Sequence, residues 1–442
     1  MVNMWQLTKL SDVAKLTSGG TPLATKKEYY ENGTIPWLVI GDLTDSFVEC
    51  SEKYITEIAL KESNAKLLPI GTLLIAMYGS IGKLGITKIE CATNQAIASI
   101  IELYGIDKFF LFYLFLYKRP FLMQLGKGGT QKNISLAVLN SLEIPIPPLA
   151  EQGRIVAKIE ELFAGIDAGV ENLKSVKNQI ALYRQSVLKS AFDFDASTFS
   201  ALKNLIDKVR YGTSKKCSTE ENVNSMLVYR IPNIDFKKGV LDKTDLKFAS
   251  FDDSEKSSLM LKSGDILIIR SNGSLNLVGR AALVYNTDTN GLYAGYLMRL
   301  RIKDTEKLLP KFLLHFLNSG KARAYIEEKA KSTSGVNNIN SEEISDLQIP
   351  VPTLDEQKRI VAEIESRFER ADALETAVDR ALNDAEKLKQ AVLKKAFSGE
   401  LVPQNPDDEP ASVLLDRIRA ARASELPAKK GKRKKTEVDS QL

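Results

Sequence analysis

The chain repeats itself. Ile144 to Phe192 reads IPIPPLAEQGRIVAKIEELF…VLKSAF, and Ile349 to Phe397 reads IPVPTLDEQKRIVAEIESRF…VLKKAF. The offset is 205 residues throughout, and 18 of the 42 positions from 151 to 192 are identical to their partners. Such a match identifies a duplicated unit, so whatever fold the chain adopts must contain one structural plan twice. Pro145, Pro147 and Pro148 in the first copy, and Pro350 and Pro352 in the second, forbid helix ahead of the repeat. Glu151 and Glu356 then stand near the start, where the helix dipole favours negative charge.

Each copy reads as one long helix. In the first, Ile159, Ile166, Leu173, Ile180 and Val187 recur every seven residues, and Leu162, Val176 and Tyr183 fall on the intervening step, with Gly169 a gap. In the second, Ile360, Ile364, Phe368, Ala371, Leu374, Val378, Ala385, Leu388 and Val392 mark the equivalent face. A helix of this length spans about 63 Å at 1.5 Å per residue. An apolar stripe that long requires a matching partner, and the other repeat supplies one. The stripe alone leaves parallel and antiparallel pairing open. Two unrelated helices lying on their own domains would not need so regular a period.

The segments ahead of the helices, 1–150 and 195–350, are similar in length and weakly similar in order. Each has a glycine-led apolar strand entering a Gly/Ser loop, Gly71-TLLIAMYGSIGKLGI and Gly264-DILIIRSNGSLNLVGRAAL. A second strand follows (96–103 and 297–302), then an apolar helix (108–117 and 311–317) and a polar loop. Strands bounded by turns and mixed with few helices predict a compact α+β domain. Two divergent domains between similar helices suggest a common frame carrying two different readers.

Composition narrows the chemistry. Three dispersed cysteines and one histidine, His315, exclude a disulfide scaffold, a zinc ribbon and most histidine-dependent catalysis. No G-x-G-x-x-G or Walker loop is present, and no N/D-P-P-Y-like methyltransferase motif. Gly79-SIGKLG lacks the hydroxyl residue after Lys83 and reads as a strand turn; Glu356-Gln357-Lys358 has no companion acid and reads as a helix start. His315 on its apolar helix reads as a core residue. The sequence therefore assigns no catalytic and no metal-binding residue. The apolar run 109–117 ends at Lys118-Arg119-Pro120, too short for a membrane span, and the start of the chain lacks a leader-like apolar core, so a cytoplasmic location is expected. The formal charge of +5 is uneven: +1 over 1–150, 0 over 151–194, +4 over 195–350, −4 over 351–428 and +4 over 429–442. A nucleic-acid ligand would have to be held by patterned charge, or by charge borrowed from partner subunits.

In this order and spacing the chain resembles the specificity subunits of type I restriction–modification systems. The resemblance rests on the duplicated starts Pro148-LAEQGRIV and Pro352-TLDEQKRIV, the loops Thr130-QKNIS and Gly335-VNNIN, and the closing segment Phe397-SGELVPQNPDDEPASVLLDRIRAARA. It implies two target-recognition domains joined by two long helices that form an antiparallel coiled-coil spacer, a pseudo-twofold internal repeat. The expected layout is recognition domains at 1–150 and 195–350, spacer helices at 151–194 and 351–399, a C-terminal helical extension at 400–428 and a basic disordered tail at 429–442. Each domain would read one half of a bipartite target in double-stranded DNA, and the helices would set half-site spacing. Two methyltransferase subunits would dock near the helices and translocase–nuclease subunits would join them. S-adenosylmethionine, ATP and magnesium belong to those partners, so no cofactor is expected on this chain and no enzymatic activity of its own. Two alternatives remain: a modification-only complex without nuclease, and a coiled-coil protein scaffold without base readout.

Base edges are read by Arg, Lys, Asn, Gln and Thr on exposed loops, and phosphates by Lys, Arg and backbone amides. The first domain offers Lys83, Lys127, Thr130, Gln131, Lys132 and Asn133; the second offers Arg270, Asn272, Arg280, Lys331, Asn337 and Asn338. Asn133 and Asn338 would equally suit a cap before the next helix, and the cations a solvated face. The frame and partner residues are Glu151, Gln152, Arg154, Ile159 and Phe163, with Glu356, Gln357, Arg359, Ile364 and Phe368 in the second copy. The basic run 429–435 would either touch phosphates or only keep the terminus soluble.

Overall fold

A computed structural model describes residues 5–127, 132–195, 198–222, 224–330 and 335–425. The chain forms two compact units, one of residues 1–171 with 382–442 and one of residues 172–381. Both divisions fall inside the long helices, Leu149–Ala191 and Leu354–Phe397. Each unit thus comprises a mixed domain, half of one helix and half of the other. Linear boundaries at the helix starts do not capture this, because each helix half is packed into the domain it touches.

In the first unit the run after Gly71 (φ +85°) becomes the strand Leu73–Ala76, buried on both faces as its unbroken apolar sequence requires. It lies at the centre of a five-stranded sheet, ordered Ala14–Ser18, Ile97–Leu103, Leu73–Ala76, Leu84–Thr87 and Ser46–Val48. In the second unit Gly264 (φ +88°) leads into Ile266–Ile269, central in the order Arg210–Tyr211, Leu297–Leu300, Ile266–Ile269, Ala281–Leu283. The neighbours and their antiparallel pairings are the same in both. Each unit also has a three-stranded sheet containing one parallel pair, Trp37–Leu38 with Ala92–Thr93 and Leu227–Tyr229 with Gly291–Tyr293. A further pair closes each domain against its helix start: Gln6–Lys9 with Glu143–Ile146, and Phe199–Ala201 with Gln348–Pro350. The duplication thus extends from the helices to the sheets of both domains, and the fold is α+β.

One expected boundary moves. The apolar helix of the first unit does not end at Tyr117 but runs Lys108–Leu125, through Pro120. Proline forfeits one backbone bond there. Arg119 offsets this with a bidentate grip on Asp45 and an Nε bond to the Gly82 carbonyl at 2.8 Å, while Leu122 is fully buried beyond it. The matching helix of the second unit, Pro310–Leu317, places its proline at the first turn, where no donor is lost.

The long helices run antiparallel within each unit. In the first, Ile155 and Ile159 share a core with Val392, Ala396 and Phe397, and Lys389 bonds Asp167. In the second, Val187 and Leu188 meet Ile360, Val361 and Ile364, while Arg184 bonds Asp372 and Lys177 bonds Asp379 at 2.7 Å. Numbers rise on one helix as they fall on the other. The expected stripe is not buried throughout, however: Tyr183, Leu374 and Leu388 are 44, 49 and 53% exposed. A straight helix drifts about 20° per heptad from a 3.5-residue repeat, which carries such positions off the seam. The ion pairs just named add polar links between the helices beside these contacts.

The segment after Phe397 returns over the first unit. Its helix Ala411–Glu425 buries Ala411, Leu414 and Leu415 in that unit's core. Among the described residues, no helix is long and apolar enough to cross a membrane.

Candidate nucleic-acid interface

The repeat's Glu-Gln start is built into the fold. Gln152 is fully buried; its Oε1 accepts from the Asp107 amide at 2.7 Å and its Nε2 donates to the Pro147 carbonyl at 3.1 Å. Gln357 does the same in the second unit, with the Leu309 amide at 2.9 Å and the Lys307 and Pro352 carbonyls at 2.8 and 3.0 Å. A carboxamide carries both a donor and an acceptor, so one side chain ties the long helix to the apolar helix beside it. At the far helix ends, Phe397 packs edge-on to Phe110 and stacks on Tyr117, and Phe192 packs edge-on to Phe312 and Phe316.

The other frame residues divide between core and surface. Ile159 and Ile364 are fully buried. Phe163 meets Tyr113 edge-on at 5.8 Å, and Phe368 meets His315 at 5.9 Å. Burial pushes the His315 imidazole down to about 4, against a small opposing pull from Glu365. Glu151 and Arg154 differ from their repeat partners because the C-terminal segment covers them. Glu151 is buried and accepts from the Trp5 indole at 2.9 Å, and its desolvation raises its pKa. Arg154 grips Asp408, whose carboxyl it holds below the usual range. Glu356 is partly exposed, and among the described residues Arg359, 68% exposed, meets only acids of its own helix.

The structure gathers the described DNA candidates of the first unit at one end of its sheet. Lys127 and Asn133 exchange both backbone hydrogen bonds at 2.9 Å, the Gly79 amide donates to the Lys132 carbonyl, and Lys83 closes the turn that begins there. Lys127, Lys132 and Asn133 are exposed and Lys83 is half-buried. Thr130 and Gln131 lie outside the described residues, as do Lys331 and the tail.

The second unit assembles the same corner differently. Ser271–Asn272 pairs with Asn337–Asn338, Asn337 donates to the Gly273 carbonyl at 2.9 Å, and Asn272 accepts from the Ser274 amide at 2.9 Å. Arg270 donates from Nε to Asn338 Oδ1 at 3.1 Å. Arg280 is not part of this group. Its guanidinium lies over Phe236 and bonds the Asn276 carbonyl and Asn318 Oδ1, each at 3.1 Å, and burial lowers its pKa. Asn133 and Asn338 do not act as helix caps; Ser135 and Asn340 fill those positions.

Beside Arg270 a cleft of about 770 Å³ opens, walled by Tyr211, Lys215, Arg230, Lys247 and Tyr296. Sequence reading missed these residues. The repeat contained a signal for them: Gly212 matches Gly19, and a Cβ on either would come within about 2 Å of a carbonyl, Tyr293 O or Thr93 O. Aligning the segments on those glycines places 211–217 in the corner. The cleft's cations are mostly neutralised in place. Lys215 bonds Glu255 at 2.5 Å, Arg230 bonds Asp245 at 2.6 Å, and Lys247 approaches Asp245 at 3.8 Å. Among the described residues, Arg270 faces the cleft without an acidic partner.

Each unit thus carries a polar corner on the repeated frame, and the two corners differ in chemistry. The chain belongs to the type I restriction modification DNA specificity domain family, whose model matches residues 3–178 and 199–383. It is 33% identical over 334 residues to the EcoKI specificity subunit of Escherichia coli K12, covering 71% of this chain and 70% of that one. The StySPI specificity subunit of Salmonella potsdam is 32% identical over 331 residues, with 70% of each chain covered. In fold the chain is similar to one in a solved structure of type I R-M complex assembly and conformational transition, with TM-score 0.70, 20% identity and coverage of 90% of this chain and 98% of the other. The HsdS subunit from Thermoanaerobacter tengcongensis gives TM-score 0.52 at 19% identity, with the same coverage.

Proposed function

We propose that this chain selects a bipartite DNA target for a type I restriction–modification complex: each unit's corner reads one half-site, and the paired helices fix the gap. The observation that carries this is the duplicated fold with unlike corners. A twofold frame with identical corners would read a palindrome; unlike corners read an asymmetric target. The chain itself performs no chemistry. Methyltransferase subunits dock on it, with S-adenosylmethionine, ATP and magnesium held by them and by translocase–nuclease subunits. The exposed apolar Leu182, Tyr183 and Leu374 on the helix halves of the second unit are surface that a protein partner would cover.

The near balance of charge outside the tail predicts weak DNA binding by the chain alone and tight, sequence-selective binding only in the methyltransferase complex. Fluorescence anisotropy with target and scrambled duplexes, with and without the partner, tests this. Equal affinity with and without partner contradicts the borrowed-charge reading. Absence of selectivity in the assembled complex favours the protein scaffold.

A further inference from the structure

The two units differ in chemistry at one structurally equivalent position. Met77 and Arg270 each follow the central strand of their sheet, and their backbones make the same bonds. The Met77 amide donates to Ala96 O at 2.8 Å and its carbonyl accepts from Ile134 N at 2.9 Å; for Arg270 the partners are Tyr296 O and Ile339 N, both at 2.9 Å. Met77 is 3% exposed and belongs to the core. Arg270 faces the cleft. Its guanidinium lies over the Tyr211 ring, 4.5 Å from the centroid, and its Nε donates to Asn338 Oδ1. Tyr211 is itself held, its hydroxyl accepting from the Ser341 amide at 2.9 Å. In the first unit the place of Tyr211 is taken by Ser18, since both pair with the equivalent strand residue, Met298 or Ala98. No such stack can form there.

We infer that Arg270, positioned by Tyr211 and Asn338, reads a guanine in the half-site recognised by the second unit, and that the first unit has no counterpart. This rests on the DNA-specificity reading above. A ring stack and an Nε bond together fix the plane of the guanidinium, and among the described residues neither Nη group has a hydrogen-bond partner. A fixed fork with two free donors matches the O6 and N7 acceptors of guanine in the major groove. Phosphate is also a bidentate acceptor, but every half-site carries phosphates, and a phosphate clamp would be needed in both units. A group present in one unit and replaced by a buried methionine in the other suits base selection. Tyr211 and Asn338 act as positioning residues.

Long-read methylation mapping of cells carrying the gene and its methyltransferase partner tests this, comparing the native chain with Arg270→Gln, Tyr211→Leu and, as a control, Arg280→Gln. The native chain should produce a split motif with a guanine in one half-site. Arg270→Gln should relax that one position by at least tenfold, leaving the other half-site and the gap unchanged. Tyr211→Leu, which keeps the arginine but removes its stack, should relax the same position more weakly, and Arg280→Gln should leave the letters intact. Methylation that falls uniformly over all sites without relaxation makes Arg270 a phosphate contact and overturns the inference. So does an unchanged motif, or relaxation in both halves. Absence of any motif with the native chain would instead overturn the function proposed above.

Discussion

Gln152 and Gln357 show how much one side chain can hold in this fold. Each is buried with three side-chain hydrogen bonds to backbone, so replacing it leaves backbone groups without partners, at about 1–3 kcal/mol. Gln357→Leu should therefore lower the stability of the second unit by roughly that amount in urea unfolding. Unchanged stability would mean that the bonds are replaced by water. His315 gives a pH dependence. Its native pKa is pushed down to about 4, below the ordinary 6.5, so between those values the unfolded chain binds the extra proton. Stability is then fully present above pH 6.5 and is lost as pH falls towards 4, on the order of 3 kcal/mol in all. Lys311 and Glu365 face the ring with opposing effects, so His315→Leu isolates its contribution. The variant should show a flatter decline in urea midpoint between pH 7 and 4.5, and parallel declines would contradict the assignment. The glutamines were legible in the sequence as repeated residues, but not as clamps: an exposed partner contact and a buried brace leave the same mark in a repeat.

At the scale of elements, the helix ends carry the packing. Phe397 locks onto the helix Lys108–Leu125 in the first unit and Phe192 onto Pro310–Leu317 in the second. Phe397→Ala should cost about 3–5 kcal/mol and raise hydrogen exchange in the Lys108–Leu125 helix, leaving the second unit's protection unchanged. Equal effects in both units would deny that each folds around its own helix halves. Periodicity made the long helices legible, and glycine-led apolar runs made the central strands legible. Three features were less so. The passage through Pro120 depends on Arg119 reaching Asp45, a contact 74 residues away. The exposure of Tyr183, Leu374 and Leu388 depends on helix drift that a heptad count ignores. The cleft walls at Tyr211, Lys215 and Arg230 belong to short strands and loops whose positions come from sheet pairing, not from local pattern.

The whole molecule follows from the duplication. Because the frame is repeated and the corners are not, exchange of segment 1–150 for that of another specificity subunit should change one half-site and keep the other. Retention of both half-sites would refute the modular reading. Adding one heptad to each long helix in matched positions lengthens each by about 10 Å, equivalent to about three base pairs at 34–36 Å per turn; the gap should widen while both half-sites persist. The letters of the target are not legible in the sequence, since readout depends on which donors the folded loops leave free, as Arg270 illustrates. The central claim, that this chain supplies a bipartite DNA specificity, is tested most directly by long-read methylation mapping of DNA from cells with and without the gene, the methyltransferase partner being present in both. A methylated-adenine motif split into two unlike halves, present only with the gene, is the predicted result. No gene-dependent motif, in cells shown to contain the assembled complex, would contradict it.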